Sequence, residues 1–329
     1  MTFKLSHSFL AALAVLVAQP NPAFAGPSDD VPSLLAGVRD HSRTAGDRLW
    51  PGYGTAPFGL LLVEADGERL FCQPQPDGFT AREPDAATGC DVSQRARSQM
   101  PDNLLSAMPV FGPPSTIVVG TPASTRLSPA AWSRVLLHEH FHQWQTALPD
   151  YYGRVRNLDL ADGDESGMWM LNFPVPYGAP QATAAHAAAS VALLAALNAR
   201  NGTDFPAKLG RYLAARDAFA SALGPRNWRY VEFQLWQEGV ARWTEIELGR
   251  SYPDEDVRSS ADQLERQTLA ALAVPDLAAQ GRLFAYAHGA GEAMLLEACN
   301  PGWRRRYADV LALGPLFAGC LTGAGGGRP

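Results

Sequence analysis

The sequence predicts an α+β protein that is predominantly α-helical, with a small β-rich part near its N-terminus. Unbroken aliphatic runs bounded by Gly, Pro and Asp occupy residues 58–63 and 116–120, as is typical of buried strands. After residue 129, apolar residues recur at helical spacing almost to the end of the chain. A hydrophobic content of 47% is that of an ordinary packed globular protein.

The first 25 residues have the layout of a secretory signal peptide. A basic start precedes an apolar run from Phe9 to Val17, and Ala23-Phe24-Ala25 forms a small-x-small cleavage site. The run is too short to anchor a protein permanently in a bilayer. We therefore expect residues 1–25 to be removed, no stable membrane anchor afterwards, and a secreted or periplasmic location.

The chain is mildly acidic. Its 27 basic and 33 acidic residues give a net charge of -6, which becomes -7 when Lys4 leaves with the signal peptide. Because no basic surface is indicated, nucleic acid is not an expected partner.

The four cysteines indicate two disulfides, since an exported protein meets an oxidising compartment. Three pairings are possible, and we favour the sequence-local one, Cys72–Cys90 and Cys299–Cys320. A cysteine zinc site is disfavoured because no two cysteines form a C-x-x-C pair.

The β-rich part spans residues 26–125. It begins with a short helix at 32–48, followed by a strand at 58–63, a turn at 65–68 and a return strand at 69–72. Residues 73–89 are rich in Pro, Asp and Gly and predict a loop. The strand at 116–120 closes this part.

The helical part spans residues 126–321, and a Gly-rich tail predicted to be flexible occupies 322–329. An acid-rich stretch at 151–177 interrupts the helical pattern. The predicted helices are 129–147, 180–199, 204–223, 226–249, 256–273, 276–298 and 301–313.

The helix at 129–147 carries the motif His138-Glu139-x-x-His142. Residues four apart on a helix are offset by only about 40°, so both imidazoles can reach one metal ion, whereas His140 faces elsewhere. Imidazole and carboxylate donors with one open position suit Zn²⁺, and Glu139 can act as the base for a zinc-bound water. A chance match on a surface helix is disfavoured by the apolar residues on both sides.

A third protein ligand is needed to complete the site. The metzincin pattern would require Gly at 145 and His at 148, but these positions hold Gln145 and Leu148. A glutamate on a later helix is the other common solution, and Glu238 and Glu245 are both candidates. We expect the small residues beside Glu238, Gly239 among them, to let this helix approach the histidine-bearing helix closely.

The combination of His138-Glu139-x-x-His142 with Glu238-Gly239-x-Ala241 resembles the gluzincin-type zinc metallopeptidases, the thermolysin-like and aminopeptidase-like group, in an exported bacterial-type form. The resemblance covers two motifs separated by 96 residues. It implies a zincin-like catalytic domain in which Glu238 is the third zinc ligand.

The segment Tyr286-Ala287-His288-Gly289 is a weaker match to the group's Tyr-x-x-Gly segment. It implies that Tyr286 or His288 polarises the substrate carbonyl, although a packed aromatic ring and a buried histidine would look the same. The chain departs from the thermolysin pattern at Arg242, where an Asp would support a zinc-bound histidine. Gln145, Glu245 and the acids of residues 159–165 are alternative sources of that support.

The expected function is that of an exported zinc metallopeptidase acting on a peptide or protein substrate. In this hypothesis Glu139 deprotonates the zinc-bound water and then protonates the leaving amine. The alternative is a zinc-binding module without peptidase activity, or a hydrolase of another amide or ester.

Overall fold

The computed structural model describes residues 30–322. The predicted signal peptide therefore lies outside the described residues, as does the predicted tail apart from Thr322. Within this range the chain combines numerous helices with a six-stranded mixed sheet. The predicted α+β class with a predominance of helix is confirmed.

The helices and strands have the following bounds. The strands are β1 Leu60–Val63, β2 Gly67–Phe71, β3 Thr80–Ala81, β4 Val92–Ala96, β5 Leu105–Met108 and β6 Thr116–Gly120. The α-helices are α1 Val31–Leu49, α2 Pro122–Thr125, α3 Pro129–Ala147, α4 Tyr151–Arg156, α5 Trp169–Asn172, α6 Pro180–Ala199, α7 Phe205–Leu223, α8 Pro225–Gln234, α9 Val240–Arg250, α10 Glu255–Ala273, α11 Leu277–Gln280, α12 Phe284–Cys299, α13 Trp303–Tyr307 and α14 Ala318–Thr322. A π-helical turn spans Leu235–Gly239, and 3-10 turns lie at Tyr53–Thr55, Gly281–Leu283 and Gly314–Phe317.

The described chain divides into two compact units. The first comprises residues 30–48, 52–149 and 251–260, and it contains the sheet together with α3. The second comprises residues 49–51, 150–250 and 261–322, and it is built from helices.

The sheet of the first unit has the strand order β3-β4-β2-β1-β6-β5. β1 and β6 pair in parallel, with Leu60 opposite Ile117, and the other neighbours are antiparallel. β1 and β6 are buried along their whole length, which is why their sequences are unbroken aliphatic runs. A core cluster of this unit consists of Leu61, Val63, Leu70, Phe79, Leu104 and Val118.

Both predicted disulfides are confirmed. Cys72–Cys90 links the end of β2 to the segment before β4, and Cys299–Cys320 links the end of α12 to α14. They close loops of 18 and 21 residues, each expected to stabilise the fold by about 3 kcal/mol. Two disulfides are compatible with an oxidising, extracellular compartment.

Two glycines mark a close helix crossing in the second unit. A Cβ on Gly239 would lie 2.3 Å from the Cα of Gly289 in α12, and a Cβ on Gly289 would lie 2.7 Å from the Cα of Gly239. Only hydrogen fits between the two backbones. Gly239 and Gly289 therefore allow the π-helical turn to pack closely against α12.

Helix α6 is rich in alanine and contains no Asp, Glu, Lys or Arg. It is the one helix of residues 30–322 long and apolar enough to cross a membrane, a property that core helices share. Its side chains Ala182, Ala189 and Leu193 are fully buried within the second unit, and 39% of its apolar stretch is buried.

Candidate metal centre

Helix α3, which carries the His-Glu-x-x-His motif, starts as its sequence predicts. The Ser128 side chain accepts the amide N–H of Ala131 at 3.2 Å, and Pro129 occupies the first turn. Every side chain from Trp132 to Gln145 is buried. The polar side chains in this stretch therefore need partners inside the protein.

Part of the α3 surface is hydrogen-bonded to the strands of the first unit. The indole of Trp132 donates to the carbonyl of Gly120 at 2.8 Å. The amide of Gln143 donates to the carbonyls of Ser115 at 2.7 Å and Gly59 at 3.1 Å. Because Gly59 and Ser115 immediately precede β1 and β6, these bonds fix the rotation of α3 about its own axis.

His140 also faces this side. Its Nε2 lies 3.1 Å from the carbonyl oxygen of Pro57, and its ring packs edge-on against Tyr53 and Phe58 at centroid distances of 4.6 and 4.9 Å. Burial lowers the pKa of His140 to about 4, so the neutral ring donates to the Pro57 carbonyl. His140 thus packs α3 in place, in agreement with its expected separation from the metal-facing histidines.

His138 and His142 point their Nε2 atoms at each other, 3.0 Å apart. The Nδ1 of His142 lies 2.7 Å from the Oε1 of Gln145, which can only accept a hydrogen bond. The proton of His142 therefore sits on Nδ1, and its Nε2 keeps a lone pair for a metal. The 3.0 Å spacing is close to the roughly 3.3 Å that separates two nitrogen ligands of one tetrahedral zinc.

The structure brings a third candidate ligand to this pair. One ligand atom each of His138, His142 and Glu238 lies within 4.8 Å of the others, and all three residues are buried. This group could hold a metal ion, and its two imidazoles and one carboxylate are a donor set that suits zinc. Glu139, next to His138 in the chain, is also buried, whereas Glu245 is not a member of the group.

Glu238 lies in the π-helical turn Leu235–Gly239, between α8 and α9. A π-turn inserts an extra residue into a helix and is frequent at functional sites. The sequence predicted one continuous helix at 226–249, because a π-turn has no characteristic residue pattern.

Arg282, which no sequence motif indicated, contacts the candidate ligand Glu238. Its Nη1 donates to the Oε1 of Glu238 and to the Oε1 of Gln234, both at 3.2 Å. Burial by itself would lower the pKa of Arg282, but the carboxylate of Glu238, together with Tyr286 and Tyr230, raises the pKa. Arg282 therefore stays charged beside Glu238.

Tyr286 lies near two arginine side chains. Its ring centroid is 6.0 Å from the guanidinium carbon of Arg282 and 5.3 Å from that of Arg242. Arg242, the position at which the resemblance expects Asp, is ion-paired with Glu245 at 3.4 Å. Tyr286 is half-buried.

His288 has a different environment, in the interior of the second unit. Its Nδ1 lies 3.4 Å from the hydroxyl of Ser190, and its Nε2 lies 3.4 Å from the hydroxyl of Tyr212. Burial, and then the charge of Arg216, lower its pKa to about 3. His288 is therefore neutral and packed among hydroxyl groups.

No protein family, curated protein or solved structure matches this chain.

Proposed function

We propose that this chain is an exported zinc-dependent hydrolase that cleaves peptide bonds. The proposal is carried by one observation, the grouping of His138, His142 and Glu238 with Glu139 next to the first ligand. Catalytic zinc sites use three protein ligands of these types and keep a fourth position for water or substrate. A structural zinc has four protein ligands and gives no role to a buried glutamate such as Glu139.

The chemistry follows from these side chains. A bound zinc would act as a Lewis acid toward the substrate carbonyl. Glu139 accepts the proton of the attacking water and returns it to the leaving amine. Gln145, by accepting the Nδ1–H of His142, keeps that ring in the neutral tautomer that a ligand requires.

A hydrogen-bond donor for the carbonyl oxygen would complete the site. We assign this role to Tyr286, because its ring centroid lies 6.0 Å from the guanidinium carbon of Arg282. The same guanidinium donates a hydrogen bond to the candidate ligand Glu238. His288 is the other candidate, but its two ring nitrogens already face the hydroxyls of Ser190 and Tyr212. That environment favours a packing role for His288.

The cellular location and the family are parts of the same proposal. The two disulfides support a secreted or periplasmic protein. The two motifs support membership of the gluzincin-type metallopeptidases with a zincin-like catalytic domain, with Arg242 as a departure from the thermolysin pattern. The substrate would be a peptide or protein.

The test is the variant Glu139→Gln, assayed for both zinc content and hydrolysis of a quenched-peptide library. Glutamine keeps the shape of the side chain but cannot accept the proton, so zinc should be retained and hydrolysis should fall by at least about 100-fold. Undiminished hydrolysis would remove Glu139 from the mechanism. If the unmutated protein binds one zinc and turns over no peptide, the alternative function, a zinc-binding module or a hydrolase of another amide or ester, is favoured.

A further inference from the structure

We infer that Arg282 is a positioning residue of the metal site, which holds the carboxylate of Glu238 in the orientation needed for ligation. The inference rests on the proposed zinc site and adds to it a residue that acts through a ligand. The direct observation is the pair of hydrogen bonds from Arg282 Nη1, one to Glu238 and one to Gln234, each of 3.2 Å.

A short 3-10 turn in the backbone places Arg282 at this contact. Arg282 lies in the 3-10 turn Gly281–Leu283, between α11 and α12. The turn begins at Gly281 with φ +52°, in the left-handed region that favours glycine. A continuous helix, as the sequence predicted for residues 276–298, would not contain this turn.

The two acceptors of Arg282 are four residues apart, Gln234 directly before the π-turn and Glu238 within it. Nη1 carries two hydrogens, so it can serve Gln234 at the end of α8 and Glu238 within the π-turn together. The exposed fractions of the Arg282 and Glu238 side chains are only 9% and 11%, so water competes weakly for these bonds. Arg282 therefore links the ligand to the regular helix that precedes it.

Gln234 is itself fixed. Its Nε2 donates to the carbonyl of Met170 at 3.1 Å, and the hydroxyl of Tyr230 donates to the same carbonyl at 2.7 Å. A chain of hydrogen bonds thus runs from Met170 through Gln234 and Arg282 to Glu238. Such contacts behind a metal ligand typically contribute about 10- to 100-fold to metal affinity.

Removal of Arg282 has two effects of opposite sign on metal binding. Loss of its positive charge removes a repulsion toward a dication and would tighten binding. Loss of its hydrogen bonds frees the Glu238 side chain and would weaken binding. If Arg282 positions Glu238, the loss of its hydrogen bonds should dominate, and Arg282→Met should weaken Zn²⁺ binding. Gln234→Met should also weaken Zn²⁺ binding, although the charge of Arg282 is retained there.

The experiment measures Zn²⁺ affinity by competition with a chromogenic chelator in the full chain. Arg282→Met should bind Zn²⁺ about 10- to 100-fold more weakly, Gln234→Met more weakly by a smaller factor, and Arg282→Lys should recover part of the loss. The visible spectrum of the Co²⁺-loaded protein, which reports ligand number and geometry, should change in Arg282→Met. The matched control Arg226→Met breaks an exposed pair with Asp162 and should leave both readouts unaltered.

Equal or tighter Zn²⁺ binding by Arg282→Met, with an unaltered Co²⁺ spectrum, would overturn the positioning role. Should Arg282→Met fail to fold, the near-isosteric Gln234→Met decides, because unchanged affinity there contradicts the role of the hydrogen-bond chain. If the unmutated protein binds Zn²⁺ and only the positioning test fails, the proposed function stands without the role of Arg282. If the unmutated protein does not bind Zn²⁺, the proposed function is overturned as well.

Discussion

The contact between Gly239 and Gly289 predicts that Gly239→Ala destabilises the second unit. The added Cβ would meet the Cα of Gly289 at 2.3 Å, its carbonyl carbon at 2.7 Å and the carbonyl oxygen of Ala285 at 2.8 Å. All three atoms belong to the backbone of α12, so the helix itself would have to move by about 1 Å to reach an ordinary contact distance. Overpacking of this kind costs about 1–3 kcal/mol.

A second glycine supplies the matched control. Gly210 lies within α7, and a Cβ there would meet nothing within 4 Å. Gly210→Ala should therefore stabilise the protein by about 0.5–1 kcal/mol through the higher helix propensity of alanine. The same gain partly offsets the clash at Gly239, so Gly239→Ala should destabilise by about 1 kcal/mol net and lower Tm by about 2–4 °C.

Thermal and urea unfolding of the two variants distinguish packing from propensity, because the same chemical change should have opposite signs. Equal shifts in Gly239→Ala and Gly210→Ala, or an unchanged Tm in Gly239→Ala, would refute the reasoning.

Three further predictions concern stability and are measured by chemical denaturation. Replacing Cys72 and Cys90 with serine should lower the free energy of unfolding by about 3 kcal/mol, because an 18-residue loop is no longer closed in the unfolded chain. Arg216→Met should lower it by about 3–5 kcal/mol, because two buried glutamates lose their shared cation. In metal-free protein, acidification from pH 7 to pH 5 should lower it by about 2 kcal/mol for each of His186 and His288. Burial holds their folded pKa values at about 3, so only the unfolded chain takes up protons near pH 6.5; a stability that is flat between these pH values would contradict this.

Elements with strong local signals could be predicted from the sequence closely. α3 and α6 have the predicted bounds, because Ser128-Pro129 and Pro180 mark their starts and the helical pattern continues without a break. The parallel pair β1 and β6 was predicted because both strands are buried along their whole length. The strands β3, β4 and β5 were missed, since their short and mostly half-exposed or exposed segments become strands through pairing with β2, β4 and β6.

Helix interruptions were also missed. The segment predicted as one helix at 226–249 contains the π-turn Leu235–Gly239, and the segment predicted at 276–298 is broken by the 3-10 turn Gly281–Leu283. Both depend on what the backbone contacts in three dimensions, such as the approach of Gly239 to Gly289.

The sequence likewise predicted some residues of the candidate site and missed others. His138, Glu139 and His142 lie within five residues of one another, so their shared function could be read locally. Arg282 is 44 residues from Glu238, and nothing in its immediate sequence connects the two. Only the fold shows that the candidate ligand has an arginine beside it.

Titration of Zn²⁺ into metal-free protein tests the central claim most directly. The unmutated chain should bind one Zn²⁺, Glu238→Ala should bind at least about 100-fold more weakly, and the matched control Glu245→Gln should change little. Glu245 is also buried but pairs with Arg242. No binding by the unmutated chain, or an unaffected Glu238→Ala beside a weakened Glu245→Gln, would contradict the assignment of His138, His142 and Glu238 as the metal ligands.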